Sequence, residues 1–210
     1  MRNPLNALQI NVGILEQELA ALVPDQKAHV YLVLAKISSE LTSLDNFVSE
    51  FLRYARPPRL KLEAVNIRPL LNDLAMFISP ECAKKGVALT LSLDAGPVVV
   101  VVDNFQLKHA VLNLVLNALQ ATPPGGKISL STGGDQGQLL IVVRDTGEGI
   151  TESALAHVFD VFFTMREGGT GLGLPITRRI IEEHGGTLEL STRAGAGTTA
   201  TISLPTKPRA

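Results

Sequence analysis

The chain has 210 residues, 45% of them hydrophobic and only 4% aromatic, with no Trp, a single Cys and a net charge of -1. That length allows one large domain or two small ones, and the composition allows a core of Leu, Val, Ile and Ala. The near-zero charge removes the electrostatic case for nucleic acid or an anionic membrane, and one cysteine excludes an internal disulfide and suits a reducing compartment.

Leu5, Leu8, Val12, Leu15, Leu19 and Leu22 recur at steps of 3 and 4 until Pro24 interrupts them. The pattern resumes as Val30, Leu34, Ile37, Leu41, Leu44, Val48, Phe51 and Ala55. Both are heptad seams, and a short turn between them predicts an antiparallel helical hairpin. A lone hairpin buries two such seams poorly. A four-helix bundle made by a homodimer is the economical arrangement, and packing on the rest of the chain is the alternative. No stretch reaches the roughly 20 apolar residues that span a bilayer and no signal peptide is visible, so no membrane contact is expected within this chain. Met1-Arg2-Asn3-Pro4 runs straight into the helical pattern, as expected of a piece of a longer protein.

Arg56-Pro57-Pro58-Arg59 ends the second helix, because proline supplies no N–H and restricts the residue before it. The predicted domains are therefore 1–58 and 59–210. In the second, Leu62–Ile67 reads as a strand and Arg68–Lys85 as a helix stopped by Gly86. Cys82 lies in that helix and reads as buried filler. Val87–Leu93 and Val98–Val102 read as strands around the turn Asp94-Ala95-Gly96-Pro97. Asp103 caps a helix running to Ala121. Lys127–Thr132 and Gln138–Arg144 read as a hairpin, Leu172–His184 as a helix, and Thr187–Ser191 and Thr198–Leu204 as strands. The expected fold class is α+β: a helical hairpin followed by an α/β sandwich, with a mixed, largely antiparallel sheet and helices on one face. The tail from Pro205 to Ala210 reads as loose.

Chemistry concentrates between His109 and Leu174. Asn113 and Asn117 stand four apart on one face of an otherwise apolar helix, and His109 extends that stripe by a turn. Buried amides without partners cost about 1–3 kcal/mol each, so something polar should face them. An Asn oxygen suits Mg²⁺, which takes its remaining ligands from water and phosphate. Bonds to neighbouring backbone are the plainer alternative. Asp145 follows an apolar strand and opens Asp-Thr-Gly-Glu-Gly, with glycines at 147 and 149. A fixed carboxylate there can accept a hydrogen bond from adenine N6 but not from guanine, which presents a carbonyl at that position. An ordinary turn is the alternative. Gly168, Gly169, Thr170, Gly171, Leu172, Gly173 and Leu174 form a glycine-rich lead into a helix, whose free N–H groups suit phosphate. Arg166 precedes them, either touching a terminal phosphate or standing as a solvated charge. The P-loop and protein-kinase signatures are absent.

These motifs resemble the ATP-binding domain shared by gyrase, Hsp90, histidine kinases and MutL, of GHKL or Bergerat type. Among these, the chain looks most like a bacterial sensor histidine kinase. Asn113-xxx-Asn117 is similar to the N box, Asp145-Thr-Gly147-Glu-Gly149 to the first glycine box, Phe159-Asp160-Val161-Phe162-Phe163-Thr164 to the F box, and Gly169-Thr-Gly171-Leu-Gly173-Leu174 to the second glycine box. Gly197-Thr198 is similar to the pair that supports adenine. The resemblance implies ATP and Mg²⁺ as cofactors, with Asn117 on the metal, Asp145 on adenine, and Gly171 and Gly173 along the phosphates. Related ATPases carry a Glu base at position 113. Asn113 abstracts no proton, which fits an enzyme that passes its phosphoryl group on.

The resemblance also implies a homodimer, a response-regulator receiver domain as partner, and a cytoplasmic location. Arg2-Asn3-Pro4-Leu5 is similar to the end of the phospho-acceptor box His-Glu-x-Arg-Asn-Pro-Leu. The acceptor His would precede Met1, and His29 is misplaced to replace it. This polypeptide is therefore expected to bind ATP without phosphorylating itself. Asn3 stands where the family positions water for dephosphorylating the regulator, although here it reads more simply as an N-cap with Pro4 at N1. A docking module with a vestigial pocket and a gyrase-type ATPase clamp are the competing readings.

Overall fold

A computed structural model of the chain describes residues 10–15, 17, 24–55, 59–94, 99–135, 137–166 and 169–206. The chain divides into two compact units, Met1–Pro58 and Arg59–Ala210. In the first, residues 10–15 are helical (α1) and Pro24–Ala55 forms one long helix (α2). Val12 and Leu34 are buried, whereas Ile37, Leu44 and Phe51 of the same heptad seam are 42–48% exposed. A single chain therefore leaves much of the seam in contact with water. Leu5, Leu8, Leu19 and Leu22, the Arg56-Pro57-Pro58 break, Asn3 and the tail from 207 lie outside the described residues.

The second unit runs β1 (Glu63–Asn66), α3 (Ile67–Lys85), β2 (Ala88–Ser92), β3 (Val99–Val102), α4 (Asn104–Ala121), β4 (Lys127–Asp135), β5 (Gln138–Asp145), α5 (Glu152–Leu155), α6 (Gly173–Glu183), β6 (Thr187–Thr192) and β7 (Thr198–Pro205). Local chemistry sets the helix ends. Asn66 Oδ1 accepts from Arg68 N at 3.1 Å at the start of α3, and Gly86 closes that helix in the left-handed region. Asp103 Oδ1 accepts from Gln106 N at 3.0 Å at the start of α4. Each such side-chain N-cap is worth about 1 kcal/mol.

The main sheet has the order β2-β4-β5-β7-β6. The β2–β4 pair is parallel and the other pairs are antiparallel, so the sheet is mixed. One expectation is corrected. The strands flanking the Asp94 turn do not form a hairpin with each other: β2 joins β4, while β3 pairs with β1 in a separate two-stranded ribbon. Val100 and Val102 of β3 are buried, so that strand fills a core position away from the main sheet.

Period-2 alternation places Leu139, Ile141, Val143 and Asp145 of β5 on the buried face. The register sets Ile141 opposite Ile202 and Val143 opposite Ala200, and Leu130 opposite Val143. These side chains make one apolar sheet face. It packs under α3, α4 and α6, whose buried residues include Leu71, Leu74, Ile78, Val111, Val115 and Ile181. Burying each such side chain contributes about 1.5–3 kcal/mol.

Candidate functional site

Asp145 is the last residue of β5 rather than the first of the following turn, and its Cα still pairs with Ile128. It is 6% exposed. Its Oδ1 accepts from Gly147 N at 2.8 Å and from Thr198 N at 3.1 Å. Among the described residues, Oδ2 accepts nothing. One carboxylate oxygen is thus spent on orientation and the other is left for a donor. The loop after Asp145 leans on the β6–β7 turn. Gly195 N donates to Glu148 O at 2.7 Å and Ile150 N donates to Thr192 Oγ1 at 2.9 Å. Thr192 Oγ1 also bonds Gly197 O at 3.1 Å and Thr198 Oγ1 at 3.0 Å. A Cβ on Gly149 would overlap the Arg193 carbonyl, and one on Gly147 would lie 2.5 Å from Ala121 O. Close backbone contacts, then, require small residues here.

Helix α4 meets this loop at its C-terminal end, where Glu148 N donates to Ala121 O at 3.3 Å. One face of α4, from Leu107 through Ala110, Leu114 and Ala118, is buried. Asn113 and Asn117 lie off that face and are partly exposed. Asn113 Nδ2 is buried without any hydrogen-bond partner. A native structure rarely leaves such a donor unmatched. The end of α4 is held from α3, since Lys85 Nζ donates to Leu119 O at 2.8 Å and Gln120 O at 3.0 Å. A cation suits a helix C-terminus.

The segment after α5 closes the third side. Phe162 has φ +70 and its N–H donates to Gly171 O at 3.1 Å. Gly171 has φ +64, and a Cβ there would lie 2.5 Å from Phe162 C. Only glycine fits both the conformation and the space. Leu172 is fully buried and N-caps α6 without a side-chain bond. Gly173 begins the helix with open space beside it, and the N–H groups of Gly173 and Leu174 fall in the unpaired first turn. Gly169 N donates to Arg166 O at 3.3 Å. Glu167 and Gly168 lie outside the described residues. Arg166 is half-buried and turned toward the helix: Nη2 donates to Asn117 O at 3.1 Å and Nη1 donates to Gln120 Oε1.

Sequence reasoning overlooked two residues, Gln120 and Thr192, and the bond that joins Asp103 to His184. Gln120 looks like a solvated helix-end residue and carries no motif. Thr192 lies in a strand far from the boxes. Asp103 and His184 form a buried pair: Asp103 N donates to His184 Nε2 at 2.9 Å, and His184 Nδ1 donates to Ile180 O at 2.7 Å. Burial pushes the Asp103 carboxyl up, but the N–H groups of Lys61 and Gln106, then His184 and the N–H of Phe105, outweigh it and hold it below its usual value. Cys82 is 1% exposed, and burial first, then Glu81, pushes its thiol up.

The arrangement offers an oriented carboxylate, an unmatched buried amide donor, a helix start with free N–H groups and one guanidinium. Among the described residues no cluster of three His, Cys, Asp or Glu exists. Asn117 offers an amide oxygen, a donor type that fits Mg²⁺ where phosphate and water complete its shell. Among the described residues no helix is long and apolar enough to cross a membrane.

Residues 102–208 match the family described as histidine kinase-, DNA gyrase B-, and HSP90-like ATPase. The chain is 32% identical over 208 residues to the sensor histidine kinase ZraS of Klebsiella oxytoca, covering 98% of this chain and 44% of that one. The full-length ShkA structure in complex with AMPPNP is similar with a TM-score of 0.77 and 26% identity, over 96% of this chain and 45% of that one. The histidine kinase ThkA, solved with the response regulator protein TrrA, is similar with a TM-score of 0.75 and 26% identity, over 99% of this chain and 59% of that one. The chain thus spans less than half the length of the curated sensor kinase it matches. The chain therefore belongs to the histidine kinase-, DNA gyrase B- and HSP90-like ATPase family, and its relatives include sensor histidine kinases.

Proposed function

We propose that residues 59–210 are the ATP-binding catalytic domain of a sensor histidine kinase, and that residues 1–58 are its dimerisation and phosphotransfer hairpin. The observation that carries the reading is Asp145: a buried carboxylate with one oxygen fixed by two N–H donors and the other unbonded. In this reading Oδ2 accepts from adenine N6, and Gly147, Gly149 and Thr198 shape the wall around the base. Gly169, Gly171, Leu172, Gly173 and Leu174 line the phosphates, with α6 N–H groups donating to them. Asn113 Nδ2 finds its missing acceptor on the phosphates or their water shell. Asn117 ligates Mg²⁺, which neutralises charge on the phosphates when bound. Arg166, beside Asn117, meets the terminal phosphate.

In the whole protein the γ-phosphorus would move from the ADP oxygen to an imidazole nitrogen of a His on the first helix, and then to an Asp of a response regulator. Positioning supplies most of the catalysis. Asn113 offers no base for water, which disfavours hydrolysis. The half-exposed seam of α2 supports a second copy of the hairpin as its cover. The relative solved with its response regulator supports a receiver domain as partner.

Calorimetric titration with ATP tests the reading. Binding that needs Mg²⁺ is the expected result. A folded protein that binds no ATP would leave a docking module with a vestigial pocket as the better account.

A further inference from the structure

We propose that Gln120 is a positioning residue: its amide oxygen holds the Arg166 guanidinium beside Asn117, ready for the terminal phosphate of a nucleoside triphosphate. The inference rests on the nucleotide reading above and assigns a role to a residue outside every recognised motif.

Gln120 lies in the last turn of α4, three residues after Asn117. Its Oε1 accepts from Arg166 Nη1, while Arg166 Nη2 donates to the Asn117 carbonyl at 3.1 Å. Two acceptors on one helix therefore hold two arms of a rigid, planar fork, which fixes where the guanidinium sits and how it faces. The helix end is itself anchored, because Lys85 donates to the carbonyls of Leu119 and Gln120. The other end of the arginine is held as well: Arg166 N donates to Thr164 Oγ1 at 3.1 Å. A long, rotamer-rich side chain is thus ordered before any ligand arrives, which removes an ordering cost from binding. Three donors of the guanidinium remain for phosphate.

The consequence is specific to the terminal phosphate. A group poised there strengthens binding of ATP and leaves ADP unaffected. A residue that merely supported the fold would change both nucleotides together, or change the melting temperature. Gln120 is exposed, so its replacement leaves the fold intact.

The test is calorimetric titration of the full chain with ATP·Mg²⁺ and with ADP·Mg²⁺, for wild type, Gln120→Met, Arg166→Ala and the double variant. Gln120→Met should weaken ATP about tenfold and leave ADP within about twofold, since one ordered charge-assisted contact is lost. Arg166→Ala should weaken ATP at least as much, and adding Gln120→Met to it should change nothing further. If Arg166→Ala lowers the ATP-to-ADP preference and Gln120→Met does not, Gln120 has no positioning role and the nucleotide reading stands. If Arg166→Ala also leaves the preference unchanged, or the wild type binds neither nucleotide, the proposal falls together with the reading beneath it.

Discussion

Gly197→Ala should damage both the stability of the second unit and its candidate site, for one geometric reason. Gly197 has φ +85. A Cβ there would overlap the carbonyl oxygen of Asp145 and lie 2.9 Å from its carbon and 3.0 Å from Thr146 Cα. The left-handed conformation costs an L-residue about 1–2 kcal/mol. Relieving the overlap moves backbone, at about 1–3 kcal/mol typical of overpacking. Together these give about 2–5 kcal/mol, or a fall in Tm of about 5–20 °C for a domain of this size.

The backbone that must move carries the Asp145 carboxylate. The residue after Gly197 supplies the Thr198 N–H bond to it. ATP affinity should fall as well, measured below the melting range. Gly195→Ala separates strain from overlap. Gly195 has φ +75, but a Cβ there meets nothing within 4 Å, so it should lose only the conformational part. The assays are thermal melts followed by circular dichroism, and calorimetry with ATP. If Gly197→Ala melts no lower than Gly195→Ala and binds ATP as wild type does, the packing argument is refuted.

Asn113→Ala should hold or raise stability, because it removes a buried unmatched donor worth about 1–3 kcal/mol of desolvation and substitutes a better helix former. It should weaken ATP·Mg²⁺ about tenfold in titration, as a lost contact to a charged group would; a destabilised variant with unchanged affinity would contradict it. Asp103 makes stability depend on acid. Its folded pKa lies below its usual value, so its contribution is present above about pH 4 and is lost as pH falls through the depressed folded value. Asp103→Ala should cost about 1–2 kcal/mol at neutral pH as a lost N-cap. In urea melts the gap from wild type should shrink on acidification, whereas a gap that stays constant would contradict it.

Much of the fold was legible because its signals are local. The cap at Asp103 and the left-handed Gly86 are written in neighbouring residues, and most elements formed within a residue or two of their expected bounds, β4 being the exception: it runs three residues past Thr132, to Asp135. Strand pairing is not local. Nothing within Ala88–Ser92 or Val99–Val102 indicates that the first joins β4 in parallel while the second leaves for β1. The proximity of their ends in sequence suggested a hairpin that the packing overrode.

The site follows the same division. Asp145 and its glycines stood out because a carboxylate beside glycines after an apolar strand is an unusual local combination. The unmatched Nδ2 of Asn113 could be anticipated from an amide in an apolar helix. Gln120 could not, since its bond to Arg166 spans 46 residues and helix ends are commonly polar. The Asp103–His184 bond spans 81 residues and was invisible for the same reason.

The central claim is that the carboxylate of Asp145 reads adenine. The most direct measurement is calorimetric titration of wild type and Asp145→Asn with ATP·Mg²⁺ and with GTP·Mg²⁺. Wild type should bind ATP at least about 100-fold more tightly than GTP, because guanine would set a carbonyl against the carboxylate, and Asp145→Asn should lose most of the ATP affinity while remaining folded. Equal binding of the two nucleotides, or an Asp145→Asn variant that binds ATP as wild type does, would contradict the account.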